Sequence, residues 1–388
     1  MILTVHEKYY EESLDWNLHK LLPDDLRVEK VDALKITKPR MIGDIGLRAF
    51  FQLRKRALQL LKTENFDFVY IPIPSFYVAL IGPYLKKKTG VKYGIDYIDP
   101  WVHQFPGSDQ LFSRHWFSSK LAKWLESRSV KNVDLITGVA DGYYQGVIER
   151  NPKLKDTCIF GAMPYGGEKS DHDKLKELNL KPYLFQKNNK LQVVYAGAML
   201  PKAYALLEAI FQSIKNNILD YSDVEFHFIG TGKLANDENS FNIKPLAEKY
   251  GLWKTIVYEY PKRIPYLDVL VHLKISDGIF ILGSTEPHYT PSKIYQAVLS
   301  EKFILAVLHK QSSAVKVIRE SNAGLVFYFN GELEIKKVSD GFSEFFMLWK
   351  KSQNNFDVSS VILSEFEKHS ASAVTIKLIQ NINLVLNE

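Results

Sequence analysis

The chain has 388 residues, 46% hydrophobic and 13% aromatic, which is material for about two to three packed domains and too apolar for a disordered chain. The single cysteine, Cys158, excludes an intrachain disulfide and fits a reducing cytoplasm; Met1 runs into residues 2–5 without the basic and long apolar stretches of a secretory signal. The net charge of +6 is uneven, because residues 45–131 carry 14 lysines and arginines against 6 acids.

Strand-like and helix-like runs alternate along the whole chain. The first half predicts strands over residues 2–5, 27–33, 68–71, 93–97, 134–139 and 157–160. Helices fall over 16–22, 47–62, 76–88, 116–130 and 142–150. Residues 68–85 are uncharged for 18 positions, at the lower limit of a membrane span, but Pro72, Pro74, Gly82 and Pro83 make them a strand, a turn and a helix of a soluble domain. A polar stretch, 166–189, reads as a linker with an entry helix. Strands then follow at 191–196, 225–229, 255–258, 278–282, 303–307 and 324–327. Helices alternate with them at 204–218, 243–250, 264–273, 291–299 and 312–321, and helices over 339–351 and 359–387 finish the chain.

The pattern is that of an α/β protein with parallel sheets: two doubly wound Rossmann-like domains facing a cleft. The boundaries predicted are 1–168 for an N-terminal acceptor-side domain, 169–190 for a linker, 191–365 for a C-terminal nucleotide-binding domain, and 366–388 for a terminal helix packing back on the first domain.

The most informative stretch is GSTEPHYTPSKIYQA, residues 283–297, directly after the apolar run DGIFIL. Thr290 fits a helix N-cap and Pro291 the first helical position. Ser292 and Lys293 then sit in a first turn suited to an anion, with Gln296 on the face of Ser292 to meet a ribose hydroxyl. Gly197 after the strand at 191–196 lets backbone approach a ligand, and Lys202 follows it. Asp99 and His103 follow the strand at 93–97, at the carboxyl end where ligands of such sheets bind.

Other motifs exclude functions. Gly230-Thr231-Gly232 lacks the third glycine of a dinucleotide site, and no GxxxxGK[ST] loop exists. Asp171-His172-Asp173 has a manganese-binding form but lies in the polar linker ahead of a helix, where capping is the better reading. With no close-spaced ligand set, no metal and no cofactor are expected. The basic run at 46–62 reads as an amphipathic crossover helix whose apolar face packs on the sheet and whose basic face is solvated; the alternative is that Arg54, Lys55, Arg56, Lys86, Lys87 and Lys88 offer an anionic membrane surface a docking patch, and no nucleic-acid partner is expected.

Taken in order, these segments resemble a family 4-type glycosyltransferase of the GT-B fold (the group 1 glycosyl transferases). The likeness runs through FDFVYIPIPSFYVALIGPYLKKKTGVKYGIDYIDPW, SVKNVDLITGVADGYYQGV, LQVVYAGAMLPKAYALLEAI, FILAV at 303–307 and Asn322-Ala323-Gly324-Leu325. The resemblance implies transfer of a hexose-type sugar from a nucleotide diphosphate sugar to a hydroxyl of a glycan or lipid-linked acceptor, with retention and without metal. It implies a cytoplasmic enzyme of cell-surface polysaccharide or glycoconjugate synthesis, peripheral on the inner face of the membrane. Gly197, Lys202, Ser292 and Lys293 would hold the diphosphate. Gln296, His288 and Thr290 would face ribose and sugar, and Glu286, Asp99 and His103 the reacting groups. The chain departs from the family at His288 and Gln296, where two glutamates are usual, at Ala198 or Met199, where an arginine is usual, and in residues 6–13, which lack glycine. A nucleotide-sugar epimerase on the same plan and a non-catalytic sugar-nucleotide binder are the alternatives.

Overall fold

The computed structural model describes residues 1–11, 14–37, 42–73, 75–102, 111–287 and 289–387. The chain divides into two compact units. The first comprises Met1–Leu14, Leu22–Tyr165 and Val374–Glu388, the second Asp15–Leu21 and Gly166–Ala373.

In the first unit β1 (Ile2–Val5) pairs in parallel with β2 (Val28–Val31). Helix α1 (Ile45–Thr63) follows, capped by Asp44, whose carboxylate accepts from Leu47 N at 2.7 Å and from Ser75 Oγ at 2.7 Å. A four-stranded parallel sheet comes next, in the order β3 (Phe68–Ile73), β4 (Lys92–Tyr97), β5 (Leu135–Gly138), β6 (Ile159–Ala162). The crossovers are α2 (Ile81–Thr89), α3 (Arg114–Ser129), α4 (Asp141–Arg150) and the single turn α5 (Leu154–Thr157). Residues 68–85, uncharged in sequence, form β3, a 3-10 turn at Phe76–Leu80 and part of α2. No helix among the described residues is long and apolar enough to cross a membrane. Among the described residues the two sheets share no strand pairing, and an apolar cavity of about 450 Å³ is lined by Leu3 and Val5 of β1 and by Phe68 and Ile71 of β3.

The second unit has one six-stranded parallel sheet. Its strands are β7 (Leu191–Ala196), β8 (Val224–Ile229), β9 (Val257–Tyr260), β10 (Gly278–Leu282), β11 (Phe303–His309) and β12 (Gly324–Phe329), in the order β12-β11-β10-β7-β8-β9. The sheet is covered on both faces. Residues 193 and 195 of β7, 280 and 282 of β10, and 303, 305 and 307 of β11 point into a core shared with α7 (Tyr204–Asn216) and α12 (Ile335–Asn354). The alternate residues Val194, Ile279, Ile281, Ile304, Ala306 and Leu308 point into a second core. That core holds α9 (Tyr266–Ile275), α10 (Lys293–Leu299), α11 (Ser313–Glu320) and the short α13 (Leu363–Phe366). Strands buried on both faces explain why these segments are continuous apolar runs rather than alternating ones. Helices α6 (Lys169–Leu178), within the stretch read as a linker, and α8 (Lys244–Lys249) complete the unit.

The terminal stretch departs from expectation. A single helix over 359–387 is replaced by a 3-10 turn at Val358–Ser360, α13, another 3-10 turn and α14 (Ala371–Asn387). The chain is held out of helix by pairing elsewhere. Ile362 N donates to Ser321 O at 2.9 Å, Gly167 N donates to His369 O at 3.0 Å, and Ala371 N donates to Gly167 O at 2.9 Å. Backbone groups satisfied this way cannot continue a helical ladder. From Val374 onward α14 belongs to the first unit, where Lys377 Nζ donates to Ala162 O at 2.9 Å and Lys92 to Val385 O.

Candidate functional site

The strand order of the second unit reverses between β7 and β10, and ligands of such sheets bind outside the carboxyl ends at the reversal. The residues there are Gly197, which follows β7, and the loop that runs from Gly283 to α10. Gly197 has φ +108°, and Gly230, which follows the neighbouring β8, has φ +70°; both are conformations that side chains rarely adopt. A Cβ built on Gly230 would lie 4.0 Å from Gly197 Cα and 3.7 Å from both Cα and Cγ of Arg263, which follows β9. Two glycines and an arginine from three consecutive strand ends thus converge on one spot.

Lys293 is the central feature. Its stem is partly accessible, but its ammonium nitrogen is enclosed and has no hydrogen-bond partner. The nitrogen lies 3.7 Å from the ring centroid of Tyr195, and a Cβ on Gly197 would come within 3.5 Å of it. Burial lowers its pKa from the ordinary 10.5 to about 7. The enclosure of the nitrogen decides the electrostatics, because the charge resides there. The ring face offers a cation some attraction but no hydrogen bond, so the ammonium keeps its donors for another group. Tyr195 is itself held in place, its hydroxyl donating to Ala198 O at 3.1 Å.

The other sequence candidates divide. Lys202 and Glu286 meet in an ion pair at 3.0 Å, both half exposed. Glu286 is positioned by the buried Ser284, whose Oγ accepts from Glu286 N at 3.2 Å. Gln296 is oriented by His172, whose Nε2 lies 2.8 Å from Gln296 Oε1. An amide oxygen only accepts, so Nε2 carries the hydrogen and the Gln296 amide N–H groups stay available. Burial lowers the His172 pKa, the Gln296 contact opposing it.

Thr290 does not cap the helix. Its hydroxyl lies 2.5 Å from Ser313 Oγ, tying the loop to α11. Ser292, exposed and making no side-chain cap bond, holds the position before α10 instead. With seven residues α10 is too short for its end to carry the argument for an anion, which rests on Lys293. Capping by Asp171 and Asp173 is also overturned. Glu168 caps α6, accepting from Ser170 N at 3.1 Å, and Asp171, inside the helix, accepts from Tyr266 Oη at 2.7 Å. His172 from this motif is the residue that sequence reasoning missed, since its partner is 124 positions away. Arg263 was findable, as a basic residue just past a strand of this sheet.

Asp99 lies in the first unit, exposed in the turn after β4. His103 and His288 lie outside the described residues. Inside β4 the partly buried Asp96 accepts from Thr137 Oγ1 at 2.7 Å, and Thr137 Oγ1 lies 2.6 Å from Tyr70 Oη. Burial raises the Asp96 carboxyl above its ordinary value. Among the described residues no group of three or more histidines, cysteines, aspartates and glutamates could hold a metal ion.

No family model and no curated protein matches the chain. Solved structures do. A UDP-forming α,α-trehalose-phosphate synthase from Burkholderia xenovorans superposes with a TM-score of 0.58 at 11% identity, over 87% of this chain and 80% of the other. HepE of Anabaena, solved in complex with UDP, gives 0.56 at 12% identity, over 92% and 86%. Sucrose-phosphate synthase from Thermosynechococcus elongatus gives 0.54 at 10% identity, over 93% and 83%. At such identities the likeness is one of fold, and the chain has the two Rossmann-like α/β units of the GT-B architecture.

Proposed function

We propose that the protein is a glycosyltransferase that moves a sugar from a nucleoside diphosphate sugar to a hydroxyl of a glycan or lipid-linked acceptor. The observation that carries this reading is the enclosed, partnerless ammonium of Lys293 beside Gly197 at the sheet reversal. A diphosphate supplies the anion that such an ammonium lacks, and the two glycines leave room for it. Arg263, on the next strand end, stands in for the arginine absent at Ala198 and Met199. The complex of HepE with UDP and the UDP-forming synthase support this assignment by fold.

In the reaction the bond between the anomeric carbon and the diphosphate oxygen breaks, and a bond to the acceptor oxygen forms on the same face, with retention. The acceptor proton passes to the departing diphosphate. No strong protein base is then required, and catalysis is chiefly stabilisation of negative charge as it builds on the leaving group. Lys293, Lys202, Ser292 and Arg263 are assigned to that charge. Gln296, oriented by His172, is assigned to the ribose, and Glu286 with His288 and Thr290 to the sugar hydroxyls. Asp99 and His103 are assigned to the acceptor side. The role that fits is cell-surface polysaccharide or glycoconjugate synthesis at the inner face of the membrane.

The test is calorimetric titration with nucleoside diphosphates, followed by incubation of the matching nucleotide sugar with and without acceptors. Binding plus acceptor-dependent release of nucleoside diphosphate supports the reading. An epimer formed from the donor alone refutes it. Turnover persists in EDTA, because no metal is assigned; loss of turnover restored by manganese refutes that part.

A further inference from the structure

The acceptor side of the proposed reaction raises the question of which surface meets a lipid-borne substrate. Of the basic residues that stand out in sequence, Arg56 and Lys86 are engaged in ion pairs and Arg54 stacks on rings. Arg56 donates to Glu29 at 2.9 Å, Lys86 to Asp134 at 2.6 Å, and the Arg54 guanidinium lies 4.7 Å from the centroid of the Tyr84 ring. The surface around α3 is different.

We propose that α3 and the two residues before its cap form an interfacial anchor that seats the first unit on an anionic lipid bilayer. Five large apolar side chains stand in solvent there: Leu111 at 72% exposure, Phe112 at 77%, Phe117 at 55%, Leu121 at 49% and Trp124 at 53%. Phe117, Leu121 and Trp124 are spaced i, i+4, i+7 and so form one stripe. The adjoining side of the helix is occupied, with Ala122 and Leu125 packed on the core beside Phe76 and Trp101. A helix with one apolar face satisfied and a second left in water has a surface in search of a partner.

Charge identifies that partner. Residues 111–131 include Arg114, Lys120, Lys123, Arg128 and Lys131 and a single acid, Glu126. Glu126 is buried and paired with Arg150 at 2.7 and 2.9 Å, so it adds no negative charge to the surface. The cations lie on the rings, Arg128 3.4 Å from the centroid of Trp124 and Lys120 5.6 Å from that of Trp116. Phe112, Trp116 and Phe117 cluster at centroid distances of 4.9 to 6.3 Å. Aromatic and leucine side chains fringed by lysine and arginine suit the headgroup layer, where rings enter the acyl boundary and cations meet phosphates. The helix lies in the interface plane; no described helix is built to span.

This inference rests on the reading that the acceptor is presented at a membrane. Its test is independent of transfer. The full chain is floated with vesicles of neutral phosphatidylcholine alone and with 30% phosphatidylglycerol, at low and high salt, while nucleoside diphosphate binding is measured separately. Wild type is expected on the anionic vesicles at low salt, released by high salt, with a blue shift of tryptophan emission. The triple variant Phe117→Ser, Leu121→Ser, Trp124→Ser is expected to keep the circular dichroism spectrum and nucleotide binding and to lose vesicle binding. Lys120→Ala with Lys123→Ala is expected to weaken it roughly 30-fold, about a factor of five per cation. Failure of wild type to bind anionic vesicles at low salt, equal binding to neutral vesicles, or undiminished binding by the triple variant each overturns the proposal. So does a wild-type dimer that the triple variant dissolves in the absence of lipid. Vesicle binding without nucleotide binding leaves the anchor standing and sinks the donor assignment.

Discussion

Lys293→Met replaces the enclosed ammonium by an apolar chain of similar length, and its consequences follow from the titration of the native residue. Burial holds Lys293 near 7 against an ordinary 10.5. At about 1.4 kcal/mol per unit, keeping the charge in place costs the folded protein on the order of 5 kcal/mol. Between pH 7 and 10.5 the unfolded chain binds the proton and the folded chain does not. Stability from this group is therefore complete above about 10.5, falls as the pH is lowered toward 7, and is flat below. Lys293→Met should remove that slope. Its unfolding free energy in urea should exceed that of wild type at pH 7 by about 4 kcal/mol, and the difference should vanish above about pH 10.5. A diphosphate restores the conditions for charge, so its binding to wild type at pH 8 should draw close to one proton from solution. Calorimetry in two buffers of different ionisation enthalpy reads that proton directly. Lys293→Met should draw none and should bind the diphosphate roughly tenfold or more weakly, while the free nucleoside binds as before. Wild-type binding without proton uptake at pH 8, together with equal affinities in wild type and variant, would refute the assignment.

Four further expectations follow from the same geometry. Gly197→Ala forces a side chain into φ +108° beside the Lys293 nitrogen; it should lose about 1–3 kcal/mol of stability and most diphosphate affinity, and unchanged binding in a titration counts against the site. Glu286→Gln breaks a half-exposed ion pair, so it should cost less than about 1 kcal/mol in a melt while freeing Lys202 to tighten diphosphate binding and lowering the turnover rate. His172→Phe leaves Gln296 without its orienting partner; discrimination between a ribonucleoside diphosphate and its 2′-deoxy analogue should collapse, and a preserved ratio of affinities places Gln296 elsewhere. On the acid side, burial lowers His227 to about 4 from 6.5, outweighing the opposing Glu225. Its stabilisation, up to about 3 kcal/mol, is present above pH 6.5 and is lost as pH falls toward 4, and His227→Phe should flatten that limb of the urea midpoint against pH.

The second unit was readable because its strands are buried on both faces and announce themselves as apolar runs, with Gly278 to Leu282 the clearest. Its strand ends are legible closely enough to put Gly197 and the loop after Leu282 just past the carboxyl ends of two strands, while the strand order that brings those two ends side by side is a property of the folded sheet. What could not be read is what long-range packing does to individual groups. Nothing in PSKIYQ distinguishes a solvated lysine from one whose nitrogen is shut in beneath Tyr195, because the ring comes from a strand about a hundred positions earlier. The same holds for His172. Its neighbours Asp171 and Asp173 invite a capping interpretation, and only the packing of α6 turns it toward Gln296. The broken terminal helix is a third instance. Residues 359–387 have helical composition, and the break comes from Gly167 and Ser321 pairing with their backbone.

These differences share one cause. Local pattern reports which face of an element is apolar, and that sets layers and strand order. It does not report which polar atoms those layers leave without a partner. A buried donor with none carries a cost that folding alone does not relieve. Lys293 is one of several such buried atoms, and it lies at the strand ends where Gly197 and Gly230 hold the backbone open and Arg263 adds a second cation. Burial that lowers the ammonium pKa makes the site unstable when charged and empty. An anion that enters it then restores both the charge and the missing hydrogen bonds, so stability lost by the free protein reappears as affinity for a diphosphate.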